Sequence, residues 1–242
     1  MTFRFYQLGP WRLLSTEDKN TALLLGKAIR DGELEREQVF RDNWRTLSAQ
    51  VQIAEQRLLL KVPRARHQRR WERLLSLFRG SDALRTFRHL EQMAAMGLRA
   101  PEPVIAGELR HYGMVTDSFV CYRFVEGRRP GGTDAPAVLR ALKMLHNQGY
   151  LRSDAQLANF LIDDDGEVVF IDFRLKRPRF LPRLQKAREL DRFLRSCPEA
   201  RNYLTREEGA SLWLRVAHRL ENLSFARRDL KRHLRARRKG KG

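Results

Sequence analysis

The stretch from Asp154 to Asp172 constrains this chain more than any other. It reads DAQLANFLIDDDGEVVFID. Asn159 to Ile162 is a short apolar run, and Glu167 to Ile171 is a second. Between them Asp163, Asp164, Asp165 and Gly166 end on Asp-Gly, a pair suited to tight turns. The pattern predicts a β-hairpin. Closing it brings Asn159 beside Asp172 at the open end. Asp154 lies five residues before Asn159, in a loop after a helix, so three oxygen-bearing side chains converge on one small volume.

That convergence suits phosphoryl transfer. Magnesium takes hard oxygen ligands and accepts only one or two from a protein, the rest coming from phosphate and water. Asn159 and Asp172 are the expected metal ligands. A second carboxylate must stand apart from the ion, orient a hydroxyl and take its proton, and Asp154 is the candidate. The order D-x-x-x-x-N, apolar strand, I-D-F is the catalytic-loop and metal-aspartate pattern of kinases. Asp163, Asp164 and Asp165 belong to the turn tip and are read as solvated. His146, at the end of the preceding helix, is read as a structural residue packing the loop.

The 242 residues organise around this stretch as an α+β chain with a strand-rich first half and a helical second half. The expected fold is two-lobed and protein-kinase-like. An N-lobe runs over 1–125, and a C-lobe over 126–242. Thr2 to Ser15 predicts a hairpin turning at Leu8, Gly9 and Pro10. Ser15, Thr16 and Glu17 should open a helix that reaches Arg30, with Gly32 past its end. From Val39 to Val62 the pattern is strand-like and stops at Pro63. Arg64 to Arg79 is basic with apolar residues interleaved. Ser81 starts a helix reaching Gly97. Strands are expected at Val104 to Leu109 and Ser118 to Val125, then a helix at Ala135 to Gln148.

In a kinase-like chain the first half must supply a lysine for the ATP phosphates. Lys61 ends the apolar run LLLKV and is the candidate. Its carboxylate partner is expected on a helix, with Glu91 preferred and Glu72 the other option.

Charge adds a second constraint. Lys and Arg total 48 against 29 acids, a net +19. Such a field attracts polyanions, whether nucleotides, phosphorylated sugars, anionic lipid or nucleic acid. Residues 226–242 concentrate it, with nine cations against Asp229 alone. Leu230 and Leu234 lie four apart there. The tail reads either as a basic amphipathic helix or as a solvated extension. Cys121 and Cys197 form no disulfide framework and no metal-type pair, which fits a reducing compartment. No run approaches the ~20 apolar residues of a membrane span, and MTFRFYQLGPW lacks the apolar core of a signal peptide. A cytoplasmic protein is expected, peripheral to a membrane at most.

With these residues in view, the chain resembles the bacterial lipopolysaccharide core heptose kinases, especially those acting on the second heptose, within the protein-kinase-like superfamily. STEDKN near the start, VFR at 39–41, LLLKV at 58–62, the Gly-Ser-Asp helix start at 80–82, FVEG at 124–127, LHNQGYLRSDAQLANF at 145–160 and IDF at 171–173 carry the resemblance. It implies ATP and Mg2+ as cofactors and a heptose hydroxyl of the lipid-linked core oligosaccharide as acceptor. Asp154 takes the catalytic role, Lys61 the ATP role, and Asn159 and Asp172 the metal roles. A basic enzyme beside the inner membrane surface, acting on an anionic glycolipid, matches the charge.

The chain also departs from that family. No glycine lies between Gly32 and Gly80, so a glycine-rich phosphate loop is missing. Ser153, Ala155 and Gln156 replace the usual Gly before the catalytic aspartate and Pro-His after it. Arg174 follows IDF in place of Gly. Arg174, Lys176 and Arg177 are candidates for acceptor phosphates, with a solvated cluster the alternative. Three rival readings remain: a kinase of another small alcohol, a catalytically inactive kinase fold, and a basic nucleic-acid binder. Cationic acceptors such as aminoglycosides favour an acidic surface that this chain lacks. For nucleic acid there is no recognised reading motif, and none is expected as a partner.

Overall fold

The computed structural model describes residues 3–53, 56–64 and 70–239. The chain divides into two compact units, Met1–Glu126 and Gly127–Gly242.

The first unit is built on one antiparallel sheet. Its strands are β1 (Arg4–Leu8), β2 (Trp11–Ser15), β3 (Arg36–Asp42), β4 (Thr46–Ile53), β5 (Gln56–Pro63), β6 (Pro103–His111) and β7 (Met114–Arg123). They lie in the order β1-β2-β6-β7-β5-β4-β3. Helix α1 (Lys19–Asp31) joins β2 to β3, while α2 (Arg70–Arg79) and α3 (Asp82–Ala95) stand between β5 and β6. Trp11, Leu13, Leu25, Val51, Leu58, Leu60, Ile105 and Phe119 form its core. Alternating apolar residues along β2 and β4–β7 supply the buried side of the sheet.

Several boundaries differ from the sequence expectation. Ser15 does not open a helix but closes β2, where its buried hydroxyl donates to the Val104 carbonyl at 2.7 Å. Asp18 caps α1 instead, its carboxylate accepting from the amides of Asn20 and Thr21 at 2.9 and 3.2 Å. A carboxylate accepts from first-turn amides better than a hydroxyl already committed elsewhere. Strand β7 starts at Met114 rather than Ser118 and ends at Arg123. Tyr112 and Gly113, at φ 49° and 76°, form the two-residue left-handed turn that joins it to β6. Such turns match the twist of paired strands. Thr2, the first part of the basic 64–79 segment, and the side chain of Glu72 lie outside the described residues.

The second unit contains α4 (Ala135–Asn147), the strands β8 (Phe160–Ile162) and β9 (Val168–Phe170), α5 (Pro182–Ser196), the short α6 (Arg206–Gly209) and α7 (Leu212–Lys239). Helix α4 buries Val138, Leu139, Leu142 and Leu145, one face of a 3.6-residue period. The hairpin packs through Phe160 and Phe170, 5.1 Å apart between ring centroids, with Phe193 of α5 at 6.3 Å from Phe160. Full burial of each ring contributes about 1.5–3 kcal/mol. Gly127 lies against β8 so closely that a Cβ would stand 2.5 Å from the Ile162 carbonyl. This approach lets Arg128 exchange two backbone hydrogen bonds with Ile162, both at 2.9 Å.

The basic 226–242 segment is helical as far as Lys239, as the continuation of α7. No helix among the described residues is long and apolar enough to cross a membrane. Cys121 and Cys197 are free and buried.

Candidate active site

The predicted hairpin forms, and its register pairs Phe160 with Phe170 and Ile162 with Val168. Its turn is held from within. Gly166, at φ 80°, donates its amide to the Asp163 carbonyl at 3.0 Å, and the Glu167 amide donates to Asp163 Oδ1 at 2.8 Å. Asp164 and Asp165 are exposed at this tip, away from Asn159.

At the open end the Ile171 amide donates to the Asn159 carbonyl at 3.1 Å, which sets Asn159 and Asp172 on neighbouring chain segments. A single 3-10 turn, Leu157–Asn159, leads into β8. From it Asn159 Nδ2 reaches back to the Asp154 carbonyl at 3.1 Å. That bond uses one of the two N–H donors of the amide and leaves Oδ1 without a hydrogen bond among the described residues. Asp154 and Asp172 are exposed and Asn159 is half-buried. The Asp154 carboxylate accepts no hydrogen bond among the described residues. The structure therefore gathers Asp154, Asn159 and Asp172 in one unit.

Two residues flanking the site hold left-handed backbone: Ser153 at φ 78° and Asp172 at φ 49°. Each costs a non-glycine residue about 1–2 kcal/mol. Ser153 stands where the resembling family carries Gly, and the conformation is the one a glycine adopts freely. Here its hydroxyl donates to the Arg174 carbonyl at 3.1 Å. Strain of this kind persists where the surroundings over-determine the chain.

Those surroundings centre on Arg152, which is 0% exposed. Its guanidinium lies 4.2 Å from the Phe160 ring centroid and 5.8 Å from that of Phe170. Nη1 donates to the Asn159 carbonyl at 3.2 Å and Nη2 to the Ile171 carbonyl at 2.9 Å. The Arg174 amide donates to the Arg152 carbonyl at 3.1 Å. Burial lowers the guanidinium to about 10, while Glu189, Asp154 and Asp172 act in the opposite direction. It stays charged at neutral pH.

Helix α5 completes the support. Buried Glu189 accepts from the Arg152 amide at 2.9 Å through Oε1 and pairs with His146 Nε2 at 2.9 Å through Oε2. Arg192 donates to the Ser153 carbonyl at 3.1 Å, and the Leu157 amide donates to Ser196 Oγ at 2.9 Å. The motif reading overlooked Arg152 and Glu189. A signal was present: Glu189 and Asp191 are the only acids between Asp172 and Glu199, in a segment crowded with arginine.

Lys61 and Glu91 belong to the first unit. Lys61 is half-buried on β5, opposite Ser48 of β4 and Val120 of β7, with its ammonium 5.6 Å from the Tyr122 ring centroid. Glu91 is half-buried on α3, where burial raises its carboxyl above the ordinary range. Its Oε1 has no hydrogen-bond partner among the described residues.

No protein-family model matches the sequence, and no curated protein matches it. Among solved structures the chain is similar to "WaaP in complex with acyl carrier protein", at a TM-score of 0.59 and 15% identity, over 91% of this chain and 98% of that one. At that identity the likeness shows the fold alone, a shared α+β arrangement, and nothing finer.

Removing the Glu189 carboxylate should strand two buried donors, the Arg152 amide and the His146 ring. We expect Glu189→Ala to destabilise the protein by about 2–4 kcal/mol, read as a melting temperature several degrees lower. Glu189→Gln, which keeps an acceptor, should fall between. A wild-type melting curve for Glu189→Ala would remove the support described above.

Proposed function

We propose that this protein transfers the γ-phosphoryl group of ATP to a sugar hydroxyl, and that the sugar is a heptose of the lipopolysaccharide inner core. The observation that carries the phosphotransfer reading is the grouping of Asp154, Asn159 and Asp172 at the open end of the β8–β9 hairpin. The choice of heptose rests on the family resemblance of the sequence.

Asn159 and Asp172 would hold magnesium. Their donors are hard oxygens, and the Asn159 amide is turned so that its oxygen, not its nitrogen, is left for a ligand. Held there, the ion would supply the positive charge that offsets the phosphates during transfer. Asp154 orients the acceptor hydroxyl and takes its proton as the new O–P bond forms, the β–γ bond breaks and ADP leaves. Lys61 keeps the role of the lysine that steadies the ATP phosphates. Most of the rate gain comes from positioning and charge stabilisation rather than covalent chemistry. Arg174 and Lys176, exposed just after Asp172, are the cations we assign to acceptor phosphates. Arg177 is also exposed, with its guanidinium 5.0 Å from the Tyr150 ring centroid.

A catalytically silent kinase fold is the second reading, and one observation favours it. The β3–β4 turn precedes the Lys61 strand, where a phosphate loop is expected in such folds. Its amides are already used: Asn43 Oδ1 accepts from the Arg45 and Thr46 amides at 2.9 and 3.0 Å. Phosphate contacts there would have to come from side chains such as Arg45.

We assign the last basic turns of α7 to an anionic membrane surface, where the glycolipid acceptor resides. Each cation near such a surface contributes about 1 kcal/mol.

The tests separate these statements. Asp154→Ala should stay folded and lose transfer by at least about 10³-fold, measured with labelled ATP on purified lipopolysaccharide core; full activity would overturn its role. Asp172→Ala should abolish the magnesium-dependent part of the ATP-induced thermal shift, and an unchanged shift would overturn the metal assignment. In co-sedimentation with phosphatidylglycerol vesicles, binding should be lost at about 1 M salt, where screening acts within ~3 Å. It should also weaken when Arg232, Arg235 and Arg238 become Gln. Equal binding to neutral phosphatidylcholine vesicles would exclude the membrane assignment.

A further inference from the structure

We infer that Arg152 is a positioning residue for magnesium-nucleotide binding, tying the Asn159 and Asp172 segments together so that their oxygens present one metal site. The inference rests on the phosphotransfer reading above and deepens it.

Two carbonyls define the role. Nη1 holds the peptide of Asn159 and Nη2 holds that of Ile171, the residue before Asp172. Both expected metal ligands thus hang from peptides gripped by one planar fork. The fork is itself fixed, because the Arg152 amide is anchored on Glu189 and its carbonyl on the Arg174 amide.

Packing alone does not account for an arginine here. Methionine would pack beside the Phe160 and Phe170 rings without burying a guanidinium, and an apolar replacement for a buried ion is often neutral or stabilising. The guanidinium makes no ion pair with a carboxylate among the described residues, so it is not half of a structural salt bridge. Nε is buried without a hydrogen bond. Its charge lies in the field of Glu189 first, and then of Asp154 and Asp172, the two carboxylates the reaction uses. A buried cation bonded only to carbonyls beneath two exposed acids holds those acids near one another before any metal arrives.

The assignment separates from a purely structural role through the metal. Magnesium is titrated into full-length protein with excess ATP, calorimetrically, for wild type, Arg152→Met and Arg152→Lys. Loss of a residue that orients metal ligands typically costs 10–100-fold in metal affinity. We expect the magnesium half-saturation of Arg152→Met to rise at least about tenfold, with kcat per folded molecule falling and the acceptor KM unchanged. Arg152→Lys keeps the charge but reaches one carbonyl, so its half-saturation should lie between, and it serves if Arg152→Met does not fold. A lower melting temperature with an unchanged half-saturation in Arg152→Met overturns the assignment, as does wild-type behaviour in Arg152→Lys. If wild type itself shows no magnesium-dependent ATP binding, the phosphotransfer reading fails and this inference falls with it.

Discussion

One buried guanidinium organises the second unit. Arg152 sits against two phenylalanine rings and bonds to carbonyls on both sides of a hairpin that has only three residues in each strand. A two-stranded hairpin of that length has little stability of its own. Its open end would fray without an outside clamp, and the three polar side chains gathered there would drift apart. Arg152 is in turn fixed by Glu189, which also fixes His146 at the end of α4. Loop, hairpin and two helices are therefore joined through one cation and one carboxylate, and the left-handed backbone at Ser153 and Asp172 is held by the same joint.

The large positive charge divides into two populations. One part is consumed internally. Arg188 and Arg192 converge on Glu221 of α7, which is 2% exposed, and Arg195 and His218 converge on Asp191, 1% exposed. These contacts stitch α5 to α7 with charge where many helix pairs use leucine, and removing one partner of a buried pair is far more damaging than its net contribution suggests. The other part, in the last turns of α7, faces a single acid in sequence. The net value of +19 thus says less about ligands than its size implies. The distribution matters more: cations inside the second unit pair with its buried acids, while those of 226–242 cluster in sequence beside one acid.

The hairpin was legible in sequence because it rests on local rules: two short apolar runs, an Asp-Gly turn and fixed spacing. Helix α4 was legible for the same reason. The start of α1 was not. Ser15 and Asp18 are both good caps by type, and the choice between them depended on a long-range bond from Ser15 to Val104, invisible to local patterning. The length of β7 was hidden similarly, since Met114 to Asp117 join a strand only because β6 lies alongside. Arg152 was the largest omission. A charged residue beside Leu151 reads as solvated, and only the fold shows the two rings and two carbonyls that enclose it.

The departures from the resembling family acquire a common physical logic on this scaffold. Ser153 pays for its left-handed backbone partly with a hydroxyl bond to Arg174 that glycine could not make. Arg174, standing where ordinary kinases have glycine, returns its amide to Arg152. Both bonds cross the same short span, between the Asp154 loop and the segment after Asp172, but the Arg174 bond is a backbone one that glycine would also make, so only Ser153 adds a bond through its side chain. With no glycine at 153 or 174, the two segments are joined at Ser153–Arg174 and Arg152–Arg174, beside the guanidinium that joins Asn159 to Ile171. At Ser153 a directional side-chain bond accompanies the left-handed backbone, and that bond and the backbone bond from Arg174 to Arg152 hold the segments carrying Asp154 and Asp172 to one another.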